Sequence, residues 1–478
     1  MKTVLAYDLG ASSGRLVALD FNGNTLNTKE IHRFTNKPIA QNNHYYWDYD
    51  HLTRELNRGL GKVDFPAKSL GIDTWGVDFG LLGKNGSLLT KPFSYRDTHS
   101  VPYVKQATNR IPALTLFEQT GNEISPINTL FQLMAIQAQY PHYLAETNNI
   151  LMTPNLLMHA LSGIPINEFT IASTSQLVNA NKVWDQAIQH SLFKQTLPFA
   201  PIEMPHQIVG SLKNHPNIQM ALVPGHDTAC ALSALPIQTP NAIFASIGTW
   251  GLIGKEVNTP ITTIEAFQKG FTNEGTSEGH YRFQKNAMGF WILQKWREEW
   301  KQQGLHFTYE QEIHALQAAQ PFQTFIDPDD ELFFNPTSMT EAMKNYCIKT
   351  NQQAPLTPGA HIRSFVESLA LKYAYTINQI EQITNTETTA IHIGGGGTQN
   401  KTLCQFIANA TQKIVHTGPT EASSIGNGLS QLRALGEIHS IEEGRQLVAN
   451  SFEMTSYDPQ DEAKWQEATE KFQQLLHT

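Results

Sequence analysis

Val4-Leu5-Ala6-Tyr7-Asp8-Leu9-Gly10-Ala11-Ser12-Ser13-Gly14-Arg15-Leu16-Val17-Ala18-Leu19-Asp20 is the stretch whose reading decides the fold. It predicts an apolar, β-rich strand over Thr3–Leu9, a turn of small residues over Gly10–Gly14, and a second strand over Arg15–Asp20. Asn27–Phe34 is a third candidate strand. A helical pattern then runs from about Asp50, a plausible N-cap, through Leu52, Leu56, Leu60 and Val63. A further strand pair is expected at Leu70–Thr74 and Val77–Leu82. Strands joined by tight turns, then a helix, then more strands, give an α/β class.

The same plan recurs about 240 residues later. Ala242–Lys255, AIFASIGTWGLIGK, is again an apolar strand, a small-residue hairpin and a second apolar strand. Two such hairpins predict two lobes on one plan, a duplication at low sequence similarity. Pro236 and Pro240 mark a boundary between them, giving expected domains of 1–238 and 239–478. Between the hairpins the pattern is more helical. Leu130, Leu133, Met134 and Ile136 share one run; Leu156, Leu157 and Leu161 share another that ends at Gly163, a C-cap signal. In the second half, Ile362, Phe365, Val366, Leu369, Tyr373, Ile377 and Ile380 fit one long amphipathic helix. A strand at Ala390–Ile393 opens into Gly394–Gly397. From about Ile441 the tail reads as two polar helices separated by Tyr457-Asp458-Pro459.

Composition removes several function classes. With 34 Lys+Arg against 43 Asp+Glu the net charge is −9, which argues against nucleic acid or anionic membrane as a partner. No apolar run approaches the roughly 18 residues of a membrane span, and the N-terminus lacks a signal peptide's apolar stretch. Cys230, Cys347 and Cys404 are too few and too widely spaced for a disulfide framework or a CxxC zinc site, so all three are expected to be free thiols. These features describe a soluble, cytoplasmic, globular chain.

No GxxxxGK[ST] loop occurs, and the glycine run at 394–397 is not a GxGxxG turn. Three small-residue turns after strands remain, at Gly10–Gly14, Gly248–Gly251 and Gly394–Gly397. Each can bring backbone N–H groups close to phosphate or be a plain hairpin; their shared placement after apolar strands favours the first. Asp8, before the first turn, is placed either to hold magnesium beside nucleotide phosphates or to form the turn itself. Arg15 can meet substrate or phosphate, or pair across the hairpin. Gly225-His226-Asp227-Thr228 opens an apolar helix, where Asp227 is either a cap or a base taking a proton from a sugar hydroxyl. His226 has no second His or Cys at metal-ligand spacing.

These motifs carry a resemblance. Asp8–Arg15, Gly225–Thr228, Ser246-Ile247-Gly248-Thr249-Trp250 and Gly395–Gly397 resemble the FGGY sugar kinases. Glu30–Phe34, Gly71–Phe79, Tyr95–Asp97, Ala172–Asn179, Thr272–Gly275 and Phe334–Pro336 resemble the branch of that family acting on L-rhamnulose. The matches run in the family's order from residue 4 to about 435. The resemblance implies the actin and hexokinase superfamily fold, two ribonuclease-H-like domains with an ATP and sugar cleft between them. It implies transfer of phosphate from ATP to a ketose, with Mg2+. Fuculose, ribulose, xylulose or glycerol are the alternative acceptors, and a non-catalytic sensor on the same fold is the more distant reading.

Carried over by position, the resemblance assigns Ala11, Ser12, Ser13, Gly14 and Arg15 to the first phosphate loop and Thr249 to the second. Gly396 lies at the adenosine end and Gln294 also contacts ATP. Gly76, His226, Asp227, Thr228 and Asn286 hold the ketose, Asp227 is the base, and Asp8 serves the metal. Gly394 departs from the family's usual aliphatic residue and is expected to loosen its strand end. The last forty residues or so match only loosely and are expected to be structural.

Overall fold

The structure, a computed structural model, describes residues 1–476. The chain forms two compact units. The first comprises Met1–Pro236, Glu256–Phe283 and Glu421–Phe452, and the second Ile237–Lys255, Gln284–Thr420 and the described residues from Glu453 on. The first division falls between the two prolines at 236 and 240, as their chemistry suggests. Beyond it the chain returns twice to the first unit, so each unit is assembled from three segments.

In the first unit, β1 (Lys2–Leu9), β2 (Ser13–Phe21) and β3 (Leu26–Thr35) form an antiparallel meander. Ser69–Thr74 pairs parallel to β1, and Gln219–Leu222 parallel to Ser69–Thr74; Gln207–Ser211 closes that edge. Seven of the eight β1 residues are buried, which is why the segment reads as continuously apolar rather than alternating. One face is packed with Leu5, Tyr7, Leu16, Trp47, Leu52, Leu56 and Leu157. Against the sheet lies Ala422–Ala434, whose Gln431 donates to the Leu5 carbonyl at 2.7 Å and accepts from Ser69 at 2.7 Å.

The second unit repeats the order. Its strands run Tyr281–Met288, Trp250–Val257, Ile243–Ile247, Ile391–Gly394, Val415–Thr417 and Ser456–Tyr457, the unit limits falling inside the first two. Ile243–Ile247 pairs antiparallel to Trp250–Val257 and parallel to Ile391–Gly394, as β1 pairs with β2 and with Ser69–Thr74. The expected long helix is Pro358–Thr384, buried along most of its length. Gly394 does not loosen its strand, since it stays extended and in register with Ser246.

Three local expectations change. The first helix, α1 (Tyr49–Leu60), is capped by Asp48, whose carboxylate accepts from the His51 N–H at 3.0 Å; Asp50 sits inside the first turn and Val63 lies beyond the end. Phe79–Leu82 does not pair with Ser69–Thr74 but runs antiparallel to Asn149–Met152 in a separate sheet. Between Ser69–Thr74 and Phe79–Leu82 the chain turns through Val77, which holds a left-handed φ of 67°. The two tail helices, Ile441–Ser451 and Glu462–Leu476, belong to different units. Among the described residues no helix is long and apolar enough to cross a membrane. All three cysteines are free and buried, and the Cys230 thiol donates to the Pro224 carbonyl at 3.1 Å.

Candidate active site

In the first unit the hairpin β1–β2 puts Asp8 directly across from Arg15. Arg15 donates twice to one Asp8 oxygen, Nη2 at 2.7 Å and Nε at 3.1 Å, and Ser424 Oγ donates to the same oxygen at 2.9 Å. Arg15 also pairs with Glu421. Arg15 is thus paired across the hairpin, at the end of the loop assigned to phosphate. Ala11 and Ser12 form the tip and Ser13 and Gly14 begin β2. Gly10 N–H closes the tip onto the Ser13 carbonyl at 2.9 Å, and Asn36 braces it from below through the Ser12 and Gly10 carbonyls. A side chain at Gly14 would overlap the Phe34 ring, so the close packing of β3 requires glycine there.

Asp73 is paired in register with Asp8 on the neighbouring parallel strand. Its Oδ2 accepts from Asn427 at 2.7 Å, while Oδ1 is buried with no partner among the described residues. Burial first, and then the nearby Asp8 charge, push this carboxyl well above the usual carboxylate range. The sequence motif contained Asp73 without giving it a role. Only the β1 register, which aligns it with Asp8, brings it to the site.

One strand residue further, Thr74 bridges to His226, which ends a loop held by Glu168: Gly225 N–H donates to the Glu168 carboxylate at 2.8 Å. Gly76 lies against the His226 ring, and a Cβ there would stand 3.4 Å from Nε2. The following left-handed Val77 is clamped at both ends, its N–H by Thr174 Oγ1 at 2.9 Å and its carbonyl by Thr129 Oγ1 at 2.6 Å. A β-branched residue in this region is strained, and the two threonines hold it. Asp78 accepts from Trp47, Trp75 and Tyr95 on one oxygen and from Gln132 on the other.

Asp227 and Thr228 are the first residues of the helix Asp227–Ser233, and His226 is its N-cap without a side-chain cap bond. Asp227 is thus not the cap. Its Oδ1 accepts from Thr228 N–H at 2.6 Å and Thr228 Oγ1 at 3.1 Å, and faces His226 Nε2 at 3.4 Å. Burial raises the Asp227 pKa, with His226 opposing and Asp8 adding to the rise. Behind His226 lie Glu274, which the sequence offered within Thr272–Gly275 but without a role, and Arg282, which it did not single out. Fully buried Arg282 places Nη2 2.9 Å from His226 Nδ1 and 2.8 Å from Glu274 Oε2, and its Nε bonds the Gly275 carbonyl at 3.1 Å. One arginine inside Tyr281-Arg282-Phe283 reads locally as the outward residue of an alternating strand, and nothing local signals its burial.

In the second unit Thr249 is at the tip of the hairpin Ile243–Val257. Gln294 Nε2 donates to its Oγ1 at 3.3 Å, and the main chain of the helix start closes on the tip: Phe290 N–H to Gly248 O at 2.8 Å, Trp291 N–H to Thr249 O at 3.1 Å. Gly396 lies in the short 3-10 turn Gly395–Gln399 that follows the strand Ile391–Gly394, with Gly395 at φ 75°. Asn286 projects from Tyr281–Met288 and is exposed. The first unit thus carries Asp8 paired with Arg15 beyond the Ala11–Gly14 turn, and Gly76, Asp227 and Thr228 around His226; the second carries Thr249 beside Gln294, with Gly396 and Asn286 on other elements.

Two strand meanders of one topology, each with a small-residue hairpin, make up the frame of the chain. The chain belongs to the FGGY family of carbohydrate kinases: residues 3–231 match the N-terminal domain of that family and 243–435 its C-terminal domain. It is 37% identical over 477 residues to the rhamnulokinase of Bacteroides thetaiotaomicron, covering 97% of each chain. It is 34% identical over 467 residues to the rhamnulokinase of Bacillus subtilis, covering 95% of each. Among solved structures, a ligand-bound xylulose kinase from Lactobacillus acidophilus matches with a TM-score of 0.81 at 16% identity, covering 100% of this chain and 98% of that one. A glycerol kinase from Plasmodium falciparum with ADP matches with a TM-score of 0.82 at 13% identity, covering 100% and 98%. The fold is that of the two-domain carbohydrate kinases, and ATP is the phosphate donor the family uses.

Proposed function

We propose that this chain transfers the γ-phosphoryl group of ATP to O1 of L-rhamnulose, giving L-rhamnulose 1-phosphate and ADP. The observation that carries the reading is the identity of 37% along 97% of a curated rhamnulokinase. The gathering of Gly76, His226, Asp227 and Thr228 supports it, since glycine leaves room for a ligand beside an imidazole and a carboxylate. Asp227 takes the O1 proton as the phosphoryl group moves. Its raised pKa brings it nearer in proton affinity to the group it must deprotonate. His226, Thr228 and Asn286 orient the other hydroxyls. Ala11, Ser12, Ser13, Gly14 and Arg15 serve the phosphates, with Thr249, Gln294 and Gly396 serving the rest of the nucleotide.

The carboxylates fit a magnesium ion. Asp8 and Asp73 are hard oxygen donors on adjacent strand ends, and Asp73 Oδ1 is buried without a partner. Asp8 would hold the ion through waters, because Arg15 and Ser424 occupy one of its oxygens. Bound there, the metal supplies charge neutralisation to the phosphates. The transition state of phosphoryl transfer is loose, so alignment and neutralisation do most of the work asked of these residues. The proposed location is the cytoplasm, whose reducing conditions suit three buried free thiols.

Coupled ADP release with L-rhamnulose, L-fuculose, L-ribulose, L- and D-xylulose and glycerol tests the reading. L-rhamnulose should give the highest kcat/KM. A preference for another member of the panel would overturn the substrate and leave the kinase class standing.

A further inference from the structure

His226 has two nitrogens and two different neighbourhoods, and which nitrogen carries the proton decides what the ring can do for a sugar. Nε2 faces Gly76 and Asp227, the side assigned above to the ketose. Nδ1 faces inward, 2.9 Å from Arg282 Nη2 and 3.2 Å from Glu274 Oε2. These two neighbours make opposite demands. A guanidinium only donates, so it needs a lone pair on Nδ1; a carboxylate only accepts, so it needs a proton there.

We propose that Arg282 is a positioning residue that fixes His226 as the neutral tautomer with its proton on Nε2, making the ring a hydrogen-bond donor on the sugar side. The bond lengths favour this resolution. Arg282 Nη2 is close to both partners, at 2.9 Å from Nδ1 and 2.8 Å from Glu274, and its two N–H groups satisfy both at once. Its third bond, from Nε to the Gly275 carbonyl, fixes the guanidinium plane. Glu274 then anchors the arginine, and the longer 3.2 Å approach to Nδ1 is a shared neighbour rather than a bond. The tautomer of a histidine is set by the bond its other nitrogen makes. Here the setting group is fully buried on the strand Tyr281–Met288 behind the ring.

The consequence concerns the division of labour. With its proton on Nε2, His226 has no lone pair to offer a hydroxyl proton, so it cannot compete with Asp227 as base. It donates instead, to a sugar oxygen or towards Asp227 Oδ1 at 3.4 Å, and favours the charged carboxylate. The charged groups around the pair are Arg282 and Glu274 behind the ring, Asp227 in front, and Asp8 and Glu168 beyond. The inference rests on the proposed sugar site for its meaning, but not for its test.

The test is nitrogen NMR on the full-length protein labelled with 15N-histidine, with His226 assigned by its loss in His226→Gln. In the wild type near pH 7.5, one protonated nitrogen, Nε2, is expected. A proton on Nδ1 alone, or on both nitrogens, would overturn the proposal whatever the sugar turns out to be. Glu274→Gln should leave the proton on Nε2. Arg282→Met, confirmed as folded by its thermal transition, should move it to Nδ1, facing Glu274, while Arg282→Lys, which keeps a cationic donor, should preserve the wild-type signature. An unchanged tautomer in folded Arg282→Met would equally reject the role. In kinetics, Arg282→Met should lower kcat/KM for the sugar by about tenfold or more with the KM for ATP unmoved, and Arg282→Lys should recover part of the loss.

Discussion

The two hairpins at the hearts of the two sheets share a topology and differ in charge. In the first, Asp8, Arg15 and Asp73 stand on adjacent strand ends, with Glu421 and Ser424 completing the network. In the second, the corresponding tip is held by Thr249, Gln294 and main-chain bonds from the start of a helix, with no ionised side chain in those contacts. The same backbone has thus been furnished twice. On the proposed reading, the first copy serves the metal and the moving charge and the second grips and shapes the nucleotide. Phosphoryl transfer needs both, because charge shifts at the reacting oxygens while the rest of the nucleotide need only stay in place.

That contrast predicts where substitutions should hurt most. Asp227 sits on the charged unit and is the group assigned to take the proton. Asp227→Asn keeps its shape and should lower kcat by roughly 10²–10⁴-fold, with ATP affinity little changed. Because the carboxyl must be ionised to act and burial raises its pKa, activity should fall as pH drops, at a higher pH than the ordinary Asp value of about 3.9 implies. Near-normal turnover by the Asn variant would erase the contrast, leaving the first unit's acids as structural as the second unit's threonine.

Not every buried acid of the first unit belongs to the chemistry, and Asp78 marks the limit. Burial lifts its pKa to about 6, against the pull of donors from Gln132, Trp47, Trp75 and the Tyr95 N–H. A carboxyl with a raised folded-state pKa favours the fold most when protonated. Its stabilising share is full below about pH 4 and is lost as pH rises through about 6. Asp78→Asn keeps one oxygen for the Trp47, Trp75 and Tyr95 donors but turns its amide NH2 on the Gln132 donor, and should cost about 1–3 kcal/mol as that buried pair is left unsatisfied. Thermal unfolding from pH 4 to 7 should also lose that component of its slope. A variant as stable as the parent, with an unchanged slope, would show that the four-donor hub contributes nothing.

The sequence carried the parts of this comparison that depend on local order. The apolar-small-apolar pattern of Val4–Asp20 and Ala242–Lys255 is enough to place both hairpins, since tight turns and β-rich flanks are local chemistry. Asp8 and Asp227 could be singled out as candidates because one lies two residues before a glycine-led turn and the other opens a helix. What lay hidden depends on contacts far along the chain. Asp73 matters through its register with Asp8, Ser424 through a helix more than 400 residues from the acid it meets, and Arg282 through burial against His226. Phe79–Leu82 pairs with Asn149–Met152 beyond the Val77 turn, and four apolar residues alone name no partner. The return of Glu256–Phe283 and Glu421–Phe452 to the first unit has no local signal either.

The smallest effect should come from the uncharged hairpin. Thr249 contributes one side-chain bond, accepted from Gln294 at 3.3 Å, while the tip itself is held by Phe290 and Trp291 N–H groups on the Gly248 and Thr249 carbonyls. Thr249→Ala removes the hydroxyl and leaves those main-chain bonds intact, so the loop should keep its shape. A single neutral hydrogen bond is worth about 0.5–1.5 kcal/mol, which corresponds to roughly a 2- to 12-fold rise in the KM for ATP. The KM for sugar and the thermal transition should not move, because the hydroxyl's bond is to Gln294 within its own unit and the main-chain bonds of the tip stay. Steady-state kinetics with ATP and sugar varied separately would decide it. A loss of a hundredfold or more in kcat, approaching that of Asp227→Asn, would mean that the second hairpin acts on the reacting charge despite carrying none, and the division between the two copies would fail.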